Sequence, residues 1–263
     1  MKIKANGIHI NYRIDGSDGA PWVTMSNSLA TTHRMWDAQM DAFTKQYRVL
    51  RYDKRGHGET EVAPGPYSFE LLADDVLALL DALQITRTHF VGLSMGGMTG
   101  MTMAMRKPSV LRTLVLCDTT SKDPLGDPAL WQQRIDTVRA GGSMDALVES
   151  TVARFLTPDT VKTRPEVADA VRTMVRNTPI DGYIACCQAI AKLNLTDRLP
   201  GITIPTLVVV GADDPATTVE MAQAIHQRVA GSELIILKNA AHLSNLEQAD
   251  AFNEAVLGFL ARH

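Results

Sequence analysis

The chain has 263 residues, 45% hydrophobic and 21% charged, ordinary globular usage that excludes a disordered, collagen-like or coiled-coil chain. Its 26 Lys and Arg stand against 29 Asp and Glu, a net charge of −3, which offers no basic field to a nucleic acid or an anionic membrane. At roughly 150 residues per domain, the length allows one large domain or two small ones.

Short β-rich runs alternate with helical ones, the pattern of an α/β protein with a mainly parallel sheet covered by helices. Ile3–Ala5 and Ile8–Tyr12 flank Asn6-Gly7, a hairpin signal, so the sheet is expected to begin antiparallel. Further strands are expected at Trp22–Met25, Tyr47–Tyr52, His89–Val91, Thr113–Cys117, Thr206–Val210 and Glu233–Leu237; their continuous apolar character suits strands buried on both faces. Phe69–Leu83 reads as a helix capped by Ser68, Val219–Val229 as another, and Gln248–Leu260 as the last. Between 121 and 200 strand signals stop and helices follow one another, at Pro128–Arg139, Met144–Phe155, Pro165–Arg176 and Ile180–Leu193. This stretch is expected to be a helical cap inserted on one edge of the sheet, leaving a core made of 1–120 and 201–263.

The sharpest local signal is Gly92-Leu93-Ser94-Met95-Gly96, a G-x-S-x-G pentapeptide directly after the strand ending at Val91 and before a helical stretch. Such a serine sits on a strained strand-to-helix turn, where side chains at the flanking positions would collide with neighbouring backbone and the hydroxyl projects above the sheet. Ser94 is the expected nucleophile. It needs a base within hydrogen-bond reach and an acid to orient that base, the acid and then the histidine following in chain order. Of the downstream histidines, His263 ends the chain and His226 lies in a helical run, whereas His242 follows the last strand by five residues in a loop that reaches the carboxyl edge of the sheet. For the acid, Asp214 stands three residues past Gly211, just beyond a strand end, where ligand and catalytic groups of open α/β sheets gather. Asp213 reads as its solvated neighbour, and Asp118, after the strand ending at Cys117, is a second candidate. The oxyanion donors are expected to be the N–H of Met95 and, from the loop Ser26-Asn27-Ser28-Leu29-Ala30, the N–H of Leu29. Asp53 to Gly58 reads as a tight turn in which Arg55 and His57 hold loops, and Met95, Met98, Met101, Met103 and Met105 read as packing under a buried helix.

These stretches, with Pro64-Gly65-Pro66-Tyr67, Asp214-Pro215-Ala216-Thr217 and Ala241-His242-Leu243-Ser244-Asn245-Leu246-Glu247-Gln248, together resemble the 3-oxoadipate enol-lactonases of the α/β-hydrolase fold, nearly end to end. The resemblance implies that fold with a helical lid, a Ser-His-Asp acyl-enzyme mechanism, no metal or organic cofactor, and opening of 3-oxoadipate enol-lactone to 3-oxoadipate in bacterial aromatic catabolism. Four positions depart from the family pattern: Ala30 where glycine is usual, Thr32 where aspartate is frequent, Lys54 where threonine is common and Asp118 where asparagine is usual. Ala30 and Thr32 neighbour the oxyanion loop, so their effect is expected on substrate shape or polarity.

An enol-lactone with a free carboxylate needs a cationic partner, and a guanidinium holds a carboxylate through two parallel hydrogen bonds. Trp131 and Arg134, three apart on the first cap helix, face the same side; Trp131 is expected to pack on the lactone ring and Arg134 to bind the carboxylate. The alternatives are a broader carboxylesterase or perhydrolase with the same residues, or a hydrolase-fold small-molecule receptor. No His-x-x-x-His or Cys-x-x-Cys spacing occurs, which disfavours a metal hydrolase. Three cysteines, two of them the neighbours Cys186 and Cys187, argue against a disulfide framework and for a reducing, cytoplasmic setting. The first residues carry no apolar leader, and the uncharged run Phe90–Met105 is broken by four glycines, a serine and two threonines, too interrupted for a membrane span.

Overall fold

A computed structural model describes all residues, Met1–His263. The antiparallel start is β1 (Lys2–Ala5) paired with β2 (Ile8–Asp15). Asn6 and Gly7 between them both take positive φ, 46° and 80°, as a two-residue turn matched to the strand twist requires. β3 (Trp22–Ser26), β4 (Arg48–Tyr52), β5 (Thr88–Leu93), β6 (Leu111–Cys117), β7 (Thr206–Gly211) and β8 (Glu233–Leu237) complete an eight-stranded sheet of order β1-β2-β4-β3-β5-β6-β7-β8. All pairings from β4 to β8 are parallel. The chain is an α/β hydrolase in architecture, with a mostly parallel sheet flanked by helices.

The helices in chain order are α1 (Met40–Phe43), α2 (Phe69–Ala82), α3 (Met95–Arg106), α4 (Pro128–Gly141), α5 (Asp145–Phe155), α6 (Pro158–Thr163), α7 (Pro165–Arg176), α8 (Ile180–Ile190), α9 (Val219–His226), α10 (Ser244–Glu247) and α11 (Ala249–Leu260). Ser68 caps α2 by accepting from the Leu71 N–H, and Phe69, Leu72, Val76, Leu79 and Leu80 bury its inner face. No helix is long and apolar enough to cross a membrane.

Two features differ from what the sequence suggests. β5 and β7 are buried throughout, but β8 is half-exposed and Ile236 is 42% exposed; β8 is the edge strand, and an apolar run does not tell an edge from a centre. The helices α4 to α8 are not on an edge either. They leave β6 and return to β7, which are neighbours inside the sheet, and they roof its carboxyl end. The Leu243 N–H donates to the Phe155 carbonyl at 2.9 Å, and the Thr157 N–H and hydroxyl both donate to Glu247 Oε1. The short α6, opened by Thr157 as cap and Pro158 at its first position, completes this roof; the Thr-Pro pair is its sequence signal.

Candidate active site

The turn between β5 and α3 carries Ser94 at φ 55° and ψ −115°, backbone that an L-residue adopts only under strain. Its surroundings enforce it. The Ser94 N–H donates to the Cys117 carbonyl at 2.8 Å and Thr119 Oγ1 donates to the Ser94 carbonyl at 2.7 Å. A Cβ on Gly92 would stand 2.3 Å from the Gly96 carbonyl, and one on Gly96 would stand 2.1 Å from the Ser26 carbonyl, so both glycines are obligatory. Met95, Met98, Met101 and Met103 of α3 are buried against the sheet, with Met98 also reaching the cavity described below.

Asp214 and His242 are brought together from the ends of β7 and β8. His242 Nδ1 and Asp214 Oδ2 are 2.9 Å apart and both side chains are buried. Thr217 Oγ1 donates to the same carboxylate at 2.7 Å, and Oδ1 accepts the N–H groups of Ala216 and Thr217. Burial pushes the Asp214 carboxyl up, but the charge and hydrogen bond of His242, with the Thr217 bonds, outweigh it and hold the carboxyl below its ordinary value. An Nδ1–H committed to a carboxylate leaves the Nε2 lone pair free to take a proton. The Phe155 ring covers the imidazole, centroids 5.0 Å apart. Ser94 and His242 line one cavity without a hydrogen bond between them; contacts of this kind commonly tighten only around substrate.

The competing residues lie elsewhere. Asp213 is exposed, and His226 Nδ1 sits 2.9 Å from Ser232 Oγ on a surface helix. His263 lies against Phe259 at the chain end. Asp118 is fully buried, and its oxygens accept from the Gly211 N–H at 2.8 Å and from Ser244 Oγ at 2.6 Å rather than from the imidazole. Burial and the nearby Asp214 charge push its carboxyl well above the ordinary range, so this acid ties β7 to the His242 loop.

The loop after β3 places Leu29 at the cavity wall, its N–H without a hydrogen bond inside the chain. Met95 opens α3, so its N–H precedes any helical acceptor. The loop is held from the Asp53–Gly58 turn. Ala30, at φ 58°, donates its N–H to His57 Nε2 at 3.0 Å, Lys54 Nζ donates to the Asn27 carbonyl, and Trp36 Nε1 donates to Asn27 Oδ1 at 3.1 Å. The positive φ explains why glycine suits position 30. His57 is fully buried, and burial with the Lys54 charge pushes its pKa down to about 3, leaving a neutral ring that can accept the Ala30 N–H. Arg55 pairs with Asp75 at 2.8 Å and 2.5 Å. Thr32 does not reach the cavity. Its hydroxyl accepts the Arg34 N–H at 3.3 Å, so the expected effect on substrate polarity falls to Ala30, which does line the cavity.

That cavity, about 220 Å³, is floored by Ser28, Leu29, Ala30, Ser94 and His242 and roofed from the cap by Trp131, Arg134, Thr151, Arg154, Phe155 and Tyr183. Trp131 is buried and donates Nε1–H to Asp123 Oδ1 at 2.7 Å, and the Arg134 guanidinium lies 5.3 Å from the Trp131 ring centre. The sequence marks Arg134 but not Arg154, because helical spacing identifies one face without saying what lies across from it. No group of three or more His, Cys, Asp or Glu side chains is placed to hold a metal ion.

A strained serine turn, a carboxylate-bound imidazole and a loop with a free N–H above a parallel sheet define an α/β hydrolase acting on esters. The alpha/beta hydrolase fold family matches residues 21–249, and the chain belongs to it. It is 36% identical to 3-oxoadipate enol-lactonase 2 of Acinetobacter baylyi over 99% of this chain and 96% of that one. The crystal structure of the enol-lactonase from Burkholderia xenovorans LB400 superposes with a TM-score of 0.96 at 40% identity, covering 99% of this chain and 100% of that one. A thermophilic esterase from Thermogutta terrifontis, solved with malate bound, gives a TM-score of 0.92 at 28% identity, covering 100% of this chain and 98% of that one. The chain is an ester-hydrolysing enzyme similar to enol-lactonases.

Proposed function

We propose that the protein opens 3-oxoadipate enol-lactone, or a small lactone of the same acidic kind, to the open-chain acid, with Ser94, His242 and Asp214 as the catalytic residues. The observation that carries this reading is the cavity itself: Ser94 and His242 on its floor face Trp131 and an arginine without a carboxylate partner, Arg134, in its roof. A volume of about 220 Å³ is below the roughly 300–1,000 Å³ of sites for drug-sized ligands, which suits a small ring. The similarity to enol-lactonases at 36% and 40% identity supports the same substrate, and the malate in the Thermogutta esterase structure supports an anionic ligand.

Ser94 Oγ attacks the ring carbonyl carbon and gives its proton to His242 Nε2, while Asp214 holds the imidazole at Nδ1. The Leu29 and Met95 N–H groups receive the oxyanion. The ring C–O bond then breaks, and the departing enol oxygen takes the proton from His242 and becomes a ketone by tautomerisation. The product end stays attached to Ser94 as an ester until water, giving a proton to His242, attacks the acyl carbon; the acyl C–O bond to Ser94 then breaks, Oγ takes that proton back from His242, and the acid is released. Trp131 packs on the ring and Arg134 holds the substrate carboxylate.

Two variants on an enol-lactone and a panel of neutral nitrophenyl esters test this. Ser94→Ala is expected to lower kcat by about 10⁵-fold or more on every substrate; an unchanged rate refutes the mechanism. Arg134→Ala is expected to lower kcat/KM on the enol-lactone at least roughly tenfold more than on the neutral esters. Equal losses on both, or wild-type rates that favour neutral esters, assign the enzyme to the broader carboxylesterases instead.

A further inference from the structure

The cavity roof carries a second guanidinium. Arg154, on α5, is one residue before Phe155, whose ring covers His242, and three after Thr151; all three line the cavity. Its hydrogen bonds within the chain are long, Nε to the Ser150 carbonyl at 3.3 Å and Nη2 to Thr151 Oγ1 at 3.4 Å, and it has no ion-pair partner. The two buried arginines do have one. Arg51 is paired with Asp15 and Asp37, and Arg55 with Asp75. In the same cap Arg172 is paired with Glu149 and Asp169 and Arg176 with Asp145, and Arg164, without an ion pair, donates to the Leu246 and Glu247 carbonyls and to Thr160 Oγ1.

Arg134 and Arg154 are set apart by lining the cavity without an ion pair. They come from two different cap helices, line one small cavity, and share it with no free carboxylate. Burial, together with the Arg134 charge, pushes the Arg154 pKa down to about 10. The acid whose charge acts on Arg154, Asp214, does not line the cavity and is engaged by His242 and Thr217. Two like charges lining one partly desolvated cavity repel each other, a cost that a bound anion removes.

We propose that Arg154 is a substrate-binding residue that closes with Arg134 on a carboxylate at the far end of the acyl chain, so that the enzyme selects acyl groups ending in an anion. The inference rests on the proposed hydrolase site but needs only the ligand's charge, not its identity as an enol-lactone. Two guanidiniums supply two planar donor forks to one carboxylate, which fixes the chain end and hence the distance from that end to the carbonyl above Ser94.

The test uses competitive inhibition of nitrophenyl acetate hydrolysis by adipate and by adipamide, the same chain with and without charge. Wild-type enzyme is expected to bind adipate at least roughly tenfold more tightly than adipamide. Arg154→Gln is expected to reduce that ratio by about tenfold, and Arg154→Lys to keep part of it as a point charge without the fork. A second measurement needs no variant: adipate is expected to slow phenylglyoxal modification of Arg154 in the wild-type protein, read by peptide mass mapping. A wild-type inhibition ratio in Arg154→Gln, or equal modification with and without adipate, overturns the assignment. An enzyme that ignores the enol-lactone yet shows the Arg154-dependent ratio leaves this inference standing while the enol-lactone reading falls.

Discussion

The floor and the roof of the cavity treat charge in opposite ways. Below the cavity, acids meet partners from within the chain: Asp214 meets the His242 imidazole, and behind it Asp53 meets His33 and Asp75 meets Arg55. In the roof, Arg134 and Arg154 line the same cavity without an acid of their own. A floor built from the ends of adjacent parallel strands brings residues distant in sequence into fixed register, as β7 and β8 do for Asp214 and His242. A roof of helix faces supplies side chains to whatever lies below. The difference teaches how the proposed division would work: chemistry prepared by the sheet, and selection by charges that a ligand completes.

After Ser94→Ala, the largest effect expected in the sheet-borne site comes from Asp214→Asn. It keeps the shape but loses the acceptor that fixes the Nδ1–H tautomer, and kcat is expected to fall on the order of 10⁴-fold by the same factor for charged and neutral esters. A loss confined to anionic substrates would break the division between floor and roof. Asp118→Asn sharpens it next, because this acid is buried beside the site without a cation. Its folded-state pKa lies above the model-compound value of 3.8, so the unfolded chain gives up the proton first and stability falls as pH rises from about 4 towards the raised value. Asn imitates the neutral acid, and the melting midpoint is expected to rise more at pH 8 than at pH 5, by roughly 2–4 °C for each kcal/mol recovered; equal shifts at both values would place the cost elsewhere.

The smallest effect is expected at Lys54, buried and pushed down by that burial from 10.5 to about 7. Between these values the unfolded chain binds more protons, so stability rises with pH through that window and the cost of the buried ammonium is complete below about 7. Lys54→Met is expected to raise the melting midpoint at pH 6 and to lose this advantage near pH 10, with the freed Asn27 carbonyl offsetting part of the gain. A gain independent of pH would show that packing, not charge, sets the effect.

The hairpin, the buried strands and the strained serine turn were legible because each is a local matter: Asn6-Gly7 can take positive φ, and Gly92 and Gly96 leave room for a turn that a Cβ would close. The choice between Asp118 and Asp214 was not local. Both follow strand ends, and only the packed structure turns Asp118 towards Gly211 and Ser244 while Asp214 meets the imidazole. His57 was marked as a loop holder without its partner, since the bond to the Ala30 N–H spans 27 residues. Arg154 was not marked at all, because a helical residue's spacing says nothing about the surface opposite it.

By itself the sequence determined the order of elements, the enzyme class and the proposed nucleophile and base, with two candidates for the acid, because turn geometry, strand periodicity and the position of polar groups after strands are written in short windows. Only the tertiary structure decided that β8 is an edge, that the cap roofs the carboxyl ends rather than a side, and that two arginines share one cavity with no acid between them. Burial and charge pairing are properties of neighbours in space, and these neighbours come from segments as far apart as Leu29 and His242.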